Sequence, residues 1–92
     1  MNVIIAGAGK VGIALAQQLS AEGCDITIID SNQKTLSNCL EQMDVMAVYG
    51  NCASMVTLQQ AGIRDADLLI AATNADEVNL LCCTTAHGIN PG

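Results

Sequence analysis

Apolar positions along the chain fall into two alternating patterns, short aliphatic or β-branched runs and longer stretches in which apolar residues recur every three or four positions. The run at 3–6, ended by Gly7, predicts a first strand. Over 10–22, Val11, Ala14, Leu15, Gln18 and Leu19 keep helical spacing, and Gly23 stands where a helix C′ glycine belongs. The β-branched run at 26–29 predicts a second strand closed by Asp30. Ser31 or Asn32 can then cap a helix with Leu36, Cys39, Leu40 and Met43 as its apolar positions, and 44–49 alternates weakly as a third strand before Gly50. Ser54 caps a short helix carrying Val56, Leu58 and Ala61 and ended by Gly62. The run at 67–72 is apolar enough for a fourth strand buried on both faces. Asn74 or Asp76 opens a last helix through Val78, Leu81, Cys82 and Thr85, stopped by Gly88 with Pro91 beyond.

Strands alternating with helices through short connections imply parallel strands joined by right-handed crossovers. The expected fold class is therefore α/β, a Rossmann-like doubly wound parallel sheet, with residues 1–92 as one domain. A full sheet of this kind runs to about six strands, so the pattern reads as truncated after about four β-α units. The fourth strand is then left as an edge, and either the chain is an excised piece or a partner supplies cover.

Composition narrows the function classes. A hydrophobic fraction of 51% with 13% charged residues excludes a disordered chain, and no apolar run approaches the ~20 residues of a membrane span. Three cationic against nine acidic residues leave a net charge of -6, with no basic face for a phosphate backbone. Tyr49 is the only aromatic residue, so no stacking platform exists for single strands either; nucleic acid is excluded as a partner. The start Met1-Asn2-Val3-Ile4-Ile5 has no basic segment of the signal-peptide type, which places the protein in the cytoplasm. Five cysteines without CxxC spacing argue for reduced thiols rather than a disulfide framework or zinc knuckle. Cys83 and His87, four apart, could share a helix face, but two ligands make no metal site.

The chemistry concentrates in the loops after the strands. Gly7-Ala8-Gly9-Lys10-Val11-Gly12 is a GxGxxG between a strand and a helix. Gly7 permits the tight turn, Gly9 lets the backbone approach a pyrophosphate, and Gly12 allows close helix packing; the helix N-terminus then offers free N–H groups to phosphate. A turn serving packing alone is the other reading. Asp30, 18 residues past Gly12, can accept hydrogen bonds from the ribose hydroxyls, or cap the following helix. Its charge, with no arginine at Ser31 or Asn32, favours NAD or an adenine nucleotide over NADP. Lys10 either meets a terminal phosphate or is an exposed first-turn lysine. Asn51 and Cys52 follow strand three on the adenine side, and Thr73 and Asn74 follow strand four at the switch point. Asp76 and Glu77 fit a helix's first turn without any ligand.

These residues, with Tyr49-Gly50-Asn51-Cys52-Ala53, Ala61-Gly62-Ile63-Arg64-Asp65-Ala66-Asp67 and Thr73-Asn74-Ala75-Asp76-Glu77-Val78-Asn79, resemble the Trk potassium-uptake regulator family, TrkA. The resemblance covers essentially the whole chain as the N-terminal nucleotide-binding half of an RCK/KTN domain. It implies a non-enzymatic regulatory subunit that binds NAD(H) or ATP/ADP and gates a potassium transporter by ligand-dependent conformational change. It further implies a homo-oligomer that is not inserted in the membrane and lies at its inner face through the transporter subunit. On the resemblance, Gly7, Gly9 and Gly12 serve the phosphates, Asp30 the ribose, and the loop from Gly50 to Cys52 the adenine; Lys10 stands where many members carry an arginine, keeping the charge without the planar fork. The candidate ligand-binding set is Gly7, Ala8, Gly9, Lys10, Val11, Gly12, Asp30, Ser31, Asn51, Cys52, Thr73 and Asn74, with no catalytic or metal-ligating residue. The alternative is a coenzyme-binding fragment of an NAD-dependent dehydrogenase, which needs a positioned acid or base.

Overall fold

The computed structural model describes residues 1–91; Gly92, the end of the expected 1–92 domain, lies outside them. Strands β1 (Asn2–Ala6), β2 (Asp25–Asp30), β3 (Met46–Tyr49) and β4 (Leu68–Ala71) form one parallel sheet in the order β3-β2-β1-β4. Helices α1 (Lys10–Ala21), α2 (Gln33–Gln42), α3 (Met55–Gln60) and α4 (Asp76–Ile89) alternate with them, and a 3-10 turn at Ile63–Asp65 precedes β4. The expected α/β doubly wound class is the observed one.

Two layers of aliphatic side chains hold the helices to the sheet. Val3, Ile5, Ile26 and Ile28 pack with Ala16 of α1 and with Leu36 and Cys39 of α2. Ile4, Ala6 and Ile29 pack on the opposite face with Leu58 of α3 and with Cys82 and Ala86 of α4. β1 pairs on both edges, Ile5 lying between Ile28 and Ile70, and its residues Val3 to Ala6 are fully buried. No aromatic ring enters the core, so tight fitting of branched aliphatics, each contributing about 1.5–3 kcal/mol on burial, supplies its stability.

The helical faces differ from the periodic pattern where backbone contacts set the phase. On α1 the buried residues are Gly12 and Ala16, flanked by half-buried Ile13, Leu15 and Leu19, while Ala14 and Gln18 are exposed and Val11 is 64% exposed. Gly12 lies so close to the carbonyl of Gly7 that an added Cβ would fall 1.9 Å from the oxygen, so Gly12 must face β1 and the apolar stripe rotates with it. Leu40, Val56 and Leu81 are likewise exposed, and Thr57 is buried in the place the pattern gave to Val56.

β4 is not buried on both faces. It pairs only with β1, Leu68 is 41% exposed and Leu69 to Ala71 are half-buried, because among the described residues no strand lies beyond it. α4 passes through Gly88 and ends at Ile89, since Asn90, the residue before Pro91, is pushed out of helical conformation. The Asn90 side chain donates to the Ile63 carbonyl at 2.8 Å, tying the helix end to the 3-10 turn. Asn32 caps α2, accepting from the Thr35 N–H, and Ser54 caps α3, accepting from the Thr57 N–H.

Gly12→Ala is expected to cost about 2–3 kcal/mol of unfolding free energy in urea, because its methyl meets backbone that can give way only by moving α1 off the sheet. Gly9→Ala, whose Cβ would meet nothing within 4 Å, should change stability by less than about 0.5 kcal/mol.

Candidate functional site

The carboxyl ends of all the strands open into one crevice of about 530 Å³. It is lined by Gly7 and Gly9 after β1, Ile29 to Asn32 and Thr35 around the end of β2, Gly50 to Cys52 after β3, and Ala72 to Ala75 with Val78 after β4. Of the predicted residues, Gly7, Gly9, Asp30, Ser31, Asn51, Cys52, Thr73 and Asn74 come together here. Ala8, Lys10, Val11 and Gly12 stand outside the lining: Ala8 and Gly12 are buried behind it, and Lys10 and Val11 point into solvent.

Asp30 joins two of the loops. One carboxylate oxygen accepts from the Ala8 N–H at 2.8 Å and the other from the Asn32 N–H at 2.8 Å. Charge-assisted bonds of this kind are about twice as strong as neutral ones, so the carboxylate fixes the glycine loop against the end of β2. Asp30 is not the cap of α2; that role falls to Asn32. A carboxylate offers about four lone-pair positions, and those not used here remain for donors in the crevice.

The glycine loop presents backbone rather than side chains. Gly7 donates to the Ile29 carbonyl at 2.7 Å and adopts a φ of 115°, where an added Cβ would lie 2.8 Å from the carbonyl oxygen of Ala72. This lets β1 and the end of β4 meet closely. Gly9 begins α1 with no capping side chain and no acid in the first turn, and the space a Cβ would occupy is open. The positive end of the α1 dipole is therefore presented to the crevice without a neutralising group of its own, the arrangement that favours an anion.

The remaining walls are braced internally. Asn51 accepts from the Ala53 N–H at 2.9 Å through its side-chain oxygen. Gly50 packs on buried Thr57, whose hydroxyl would lie 2.6 Å from an added Cβ. Beyond β4, Asn79 accepts from the Thr73 N–H at 3.0 Å and donates to the Thr73 carbonyl at 3.2 Å, and the Thr73 hydroxyl lies against the Asn79 oxygen. Sequence reasoning assigned no role to Gly50 beyond its loop, or to Thr57 and Asn79. The Thr73-to-Asn79 spacing, which returns an amide from the first turn of a helix to the preceding loop, was the available signal for the last.

All five cysteines are free. Burial raises the thiol pKa of Cys39 and of Cys52, and it pushes Cys82, which lies beside Cys52, up to about 12. These thiols stay protonated at neutral pH and act as small apolar groups. Cys83 and His87 are exposed on α4, and among the described residues no group of three or more His, Cys, Asp or Glu side chains is set to hold a metal ion. No described helix is long and apolar enough to cross a membrane.

A parallel sheet in this order, wound with helices on both faces and opening at the carboxyl ends of its strands, defines the Rossmann-like nucleotide-binding fold. The model of the TrkA-N domain matches residues 3–92, and the chain belongs to that family. It is 45% identical over 87 residues to the Trk system potassium uptake protein TrkA of Halomonas elongata, covering 95% of this chain and 19% of that protein. A TrkA homolog of Methanothermobacter thermautotrophicus is 40% identical over 83 residues, covering 90% of this chain and 38% of the homolog. Among solved structures, the Kef CTD of Shewanella denitrificans in AMP-bound form superposes with a TM-score of 0.84 at 34% identity, over 99% of this chain and 53% of that one. The TrkA-N domain of the inner membrane protein ybaL of Escherichia coli gives 0.86 at 27% identity, over 98% of this chain and 66% of that one. The chain thus spans well under two thirds of the TrkA proteins it matches.

The raised thiols carry a pH dependence with a definite sign. Above the ordinary thiol value of 9.0 the unfolded chain releases protons that Cys82 retains in the fold until about 12, so unfolding releases protons and stability falls with rising pH across that window. Unfolding free energies measured in urea under reductant from about pH 7.5 to 10.5 should be flat below the window and fall within it, by at most ~1.4 kcal/mol per pH unit for each thiol. Cys82→Ala should make the fall shallower.

Proposed function

We propose that this chain is the regulatory nucleotide-binding domain of a potassium uptake system, taking NAD(H) or ATP/ADP in the crevice and gating a membrane transporter subunit through a ligand-dependent change of arrangement. The observation that carries this reading is the pairing of an uncapped helix N-terminus at Gly9 with the Asp30 carboxylate on the same crevice. The helix end takes the phosphates and the carboxylate takes the ribose hydroxyls. The TrkA relatives support the potassium system, and the AMP-bound Kef neighbour supports an adenine nucleotide. The acting species is a homo-oligomer on the cytoplasmic side, held to the membrane by the transporter rather than by insertion.

Phosphate recognition here rests on backbone. The crevice lining contains no lysine, arginine or histidine, and Lys10 stands outside it at the start of α1. The single charged side chain of the lining, Asp30, repels a 2′-phosphate, which selects NAD(H) against NADP(H). Hydride transfer by a dehydrogenase fragment is the weaker reading, because His87 sits in the last turn of α4, at the opposite end of that helix from the crevice. Gating requires the nucleotide to bind two arrangements unequally; moving a population from 1:99 to 99:1 takes about 10⁴-fold in relative affinity.

Titration calorimetry with NADH, NADPH, ADP and ATP tests the assignment. The native chain should bind NADH more tightly than NADPH, and Asp30→Asn should weaken NADH by about tenfold or more while narrowing that gap, as expected for a lost charge-assisted bond. Equal binding of the two cofactors by the native chain, or an unaltered NADH affinity in Asp30→Asn, overturns it.

A further inference from the structure

Asn79 lies outside the crevice lining, yet it fixes the backbone of one wall. Up to Ala72 the chain is held by β1, the Ala72 N–H donating to the Ala6 carbonyl at 2.7 Å. Thr73 lies one step further, past the end of an edge strand, where among the described residues no neighbouring strand offers its N–H and carbonyl a partner. The Asn79 carboxamide supplies both, an oxygen for the N–H at 3.0 Å and an NH₂ for the carbonyl at 3.2 Å, as a peptide group on an adjacent strand would. The Thr73 hydroxyl in turn meets the Ala75 N–H at 3.3 Å, and Ala75 begins α4 with no side-chain cap. The conformation of 73–75 is therefore held by two side chains, the Asn79 carboxamide from the helix that follows and the hydroxyl of Thr73 itself.

This wall touches the glycine loop, an added Cβ on Gly7 lying 3.0 Å from the Thr73 nitrogen, but Asn74, Ala75 and Val78 carry the lining on beyond the part of the crevice that holds a mononucleotide. Asp30 ends β2, Gly7 and Gly9 follow β1, and Thr73 follows β4, so the three stations lie on successive strands about 4.8 Å apart. A ribose on Asp30 and a phosphate on the α1 N-terminus occupy the first two. Only a ligand that continues past the phosphate meets the third.

We infer that Asn79 is a positioning residue for the second half of a bound dinucleotide, acting through the backbone of Thr73 to Ala75. This rests on the nucleotide reading above and adds to it a ligand length. An adenosine monophosphate gains nothing from Asn79, whereas a nicotinamide or other second nucleoside lies against the wall that Asn79 holds.

Calorimetric titration of the full chain with NADH and with AMP, for native protein, Asn79→Leu and Asn79→Ala, tests this, each variant being first checked for a cooperative thermal transition. Leucine keeps the branched shape and removes both hydrogen bonds; alanine removes them without crowding. Whichever variant folds should bind NADH at least about tenfold more weakly, the loss expected when an ordering pair of hydrogen bonds goes, with AMP changed by less than about twofold. NADH affinity within twofold of native overturns the inference, and so does an equal loss for both ligands, which marks a general loosening of the fold. A native chain that binds neither ligand removes the nucleotide reading and the inference with it, and is told apart from these results by the native titration alone.

Discussion

The contact on which the molecule depends is the approach of α1 to the end of β1, where Gly12 sits against the carbonyl of Gly7 with no room for a single methyl group. That approach sets the rotation of α1, bringing Ala16 inward and leaving Val11 in solvent. It also aims the uncapped first turn of α1 at the space above the sheet and leaves the Ala8 N–H facing the end of β2, where Asp30 receives it. Packing and the shape of the crevice thus have one cause. A glycine is needed at both partners for different reasons: a positive φ and the nearness of Ala72 at Gly7, and the absence of a side chain at Gly12.

The electrostatics follow from the same frame. In a chain of net charge -6, the crevice lining holds no cationic side chain. The aligned peptide dipoles of α1 instead leave a partial positive charge at its first turn, and that charge acts over short range. The negative charge in the crevice is itself engaged by two backbone N–H groups, so Asp30 orders the loops around it. The crevice is preorganised: its loops hold their shape through hydrogen bonds of Asp30, Asn51 and Asn79, the arrangement that lowers the ordering cost of any binding.

The rim is the less constrained part. β4 has a strand on one side only, and Leu68, Leu80 and Leu81 leave apolar surface beside it and on α4. The relatives and structural neighbours extend well beyond the span matched here. The core itself, built from Ile4, Ile5, Ile28, Ile29 and Leu58, is complete without that cover.

Much of this was legible in the order of residues. Element type and order follow from apolar spacing, since a run such as 26–29 suits a pleated sheet and the stretch around Leu36 and Cys39 suits a helix, and short connections then leave a parallel sheet as the simple outcome. The glycine loop and Asp30 were recognisable because backbone approach and a strand-end carboxylate leave fixed residue types at fixed spacing. Tertiary contact alone decided the phase of α1, the exposure of Val56 and Leu81, the exclusion of Lys10, Val11, Ala8 and Gly12 from the crevice lining, and the bracing of Thr73 by Asn79. Periodicity records which residues are apolar, but the direction in which each points depends on distances between chain segments far apart in sequence, and those exist only once the sheet has formed.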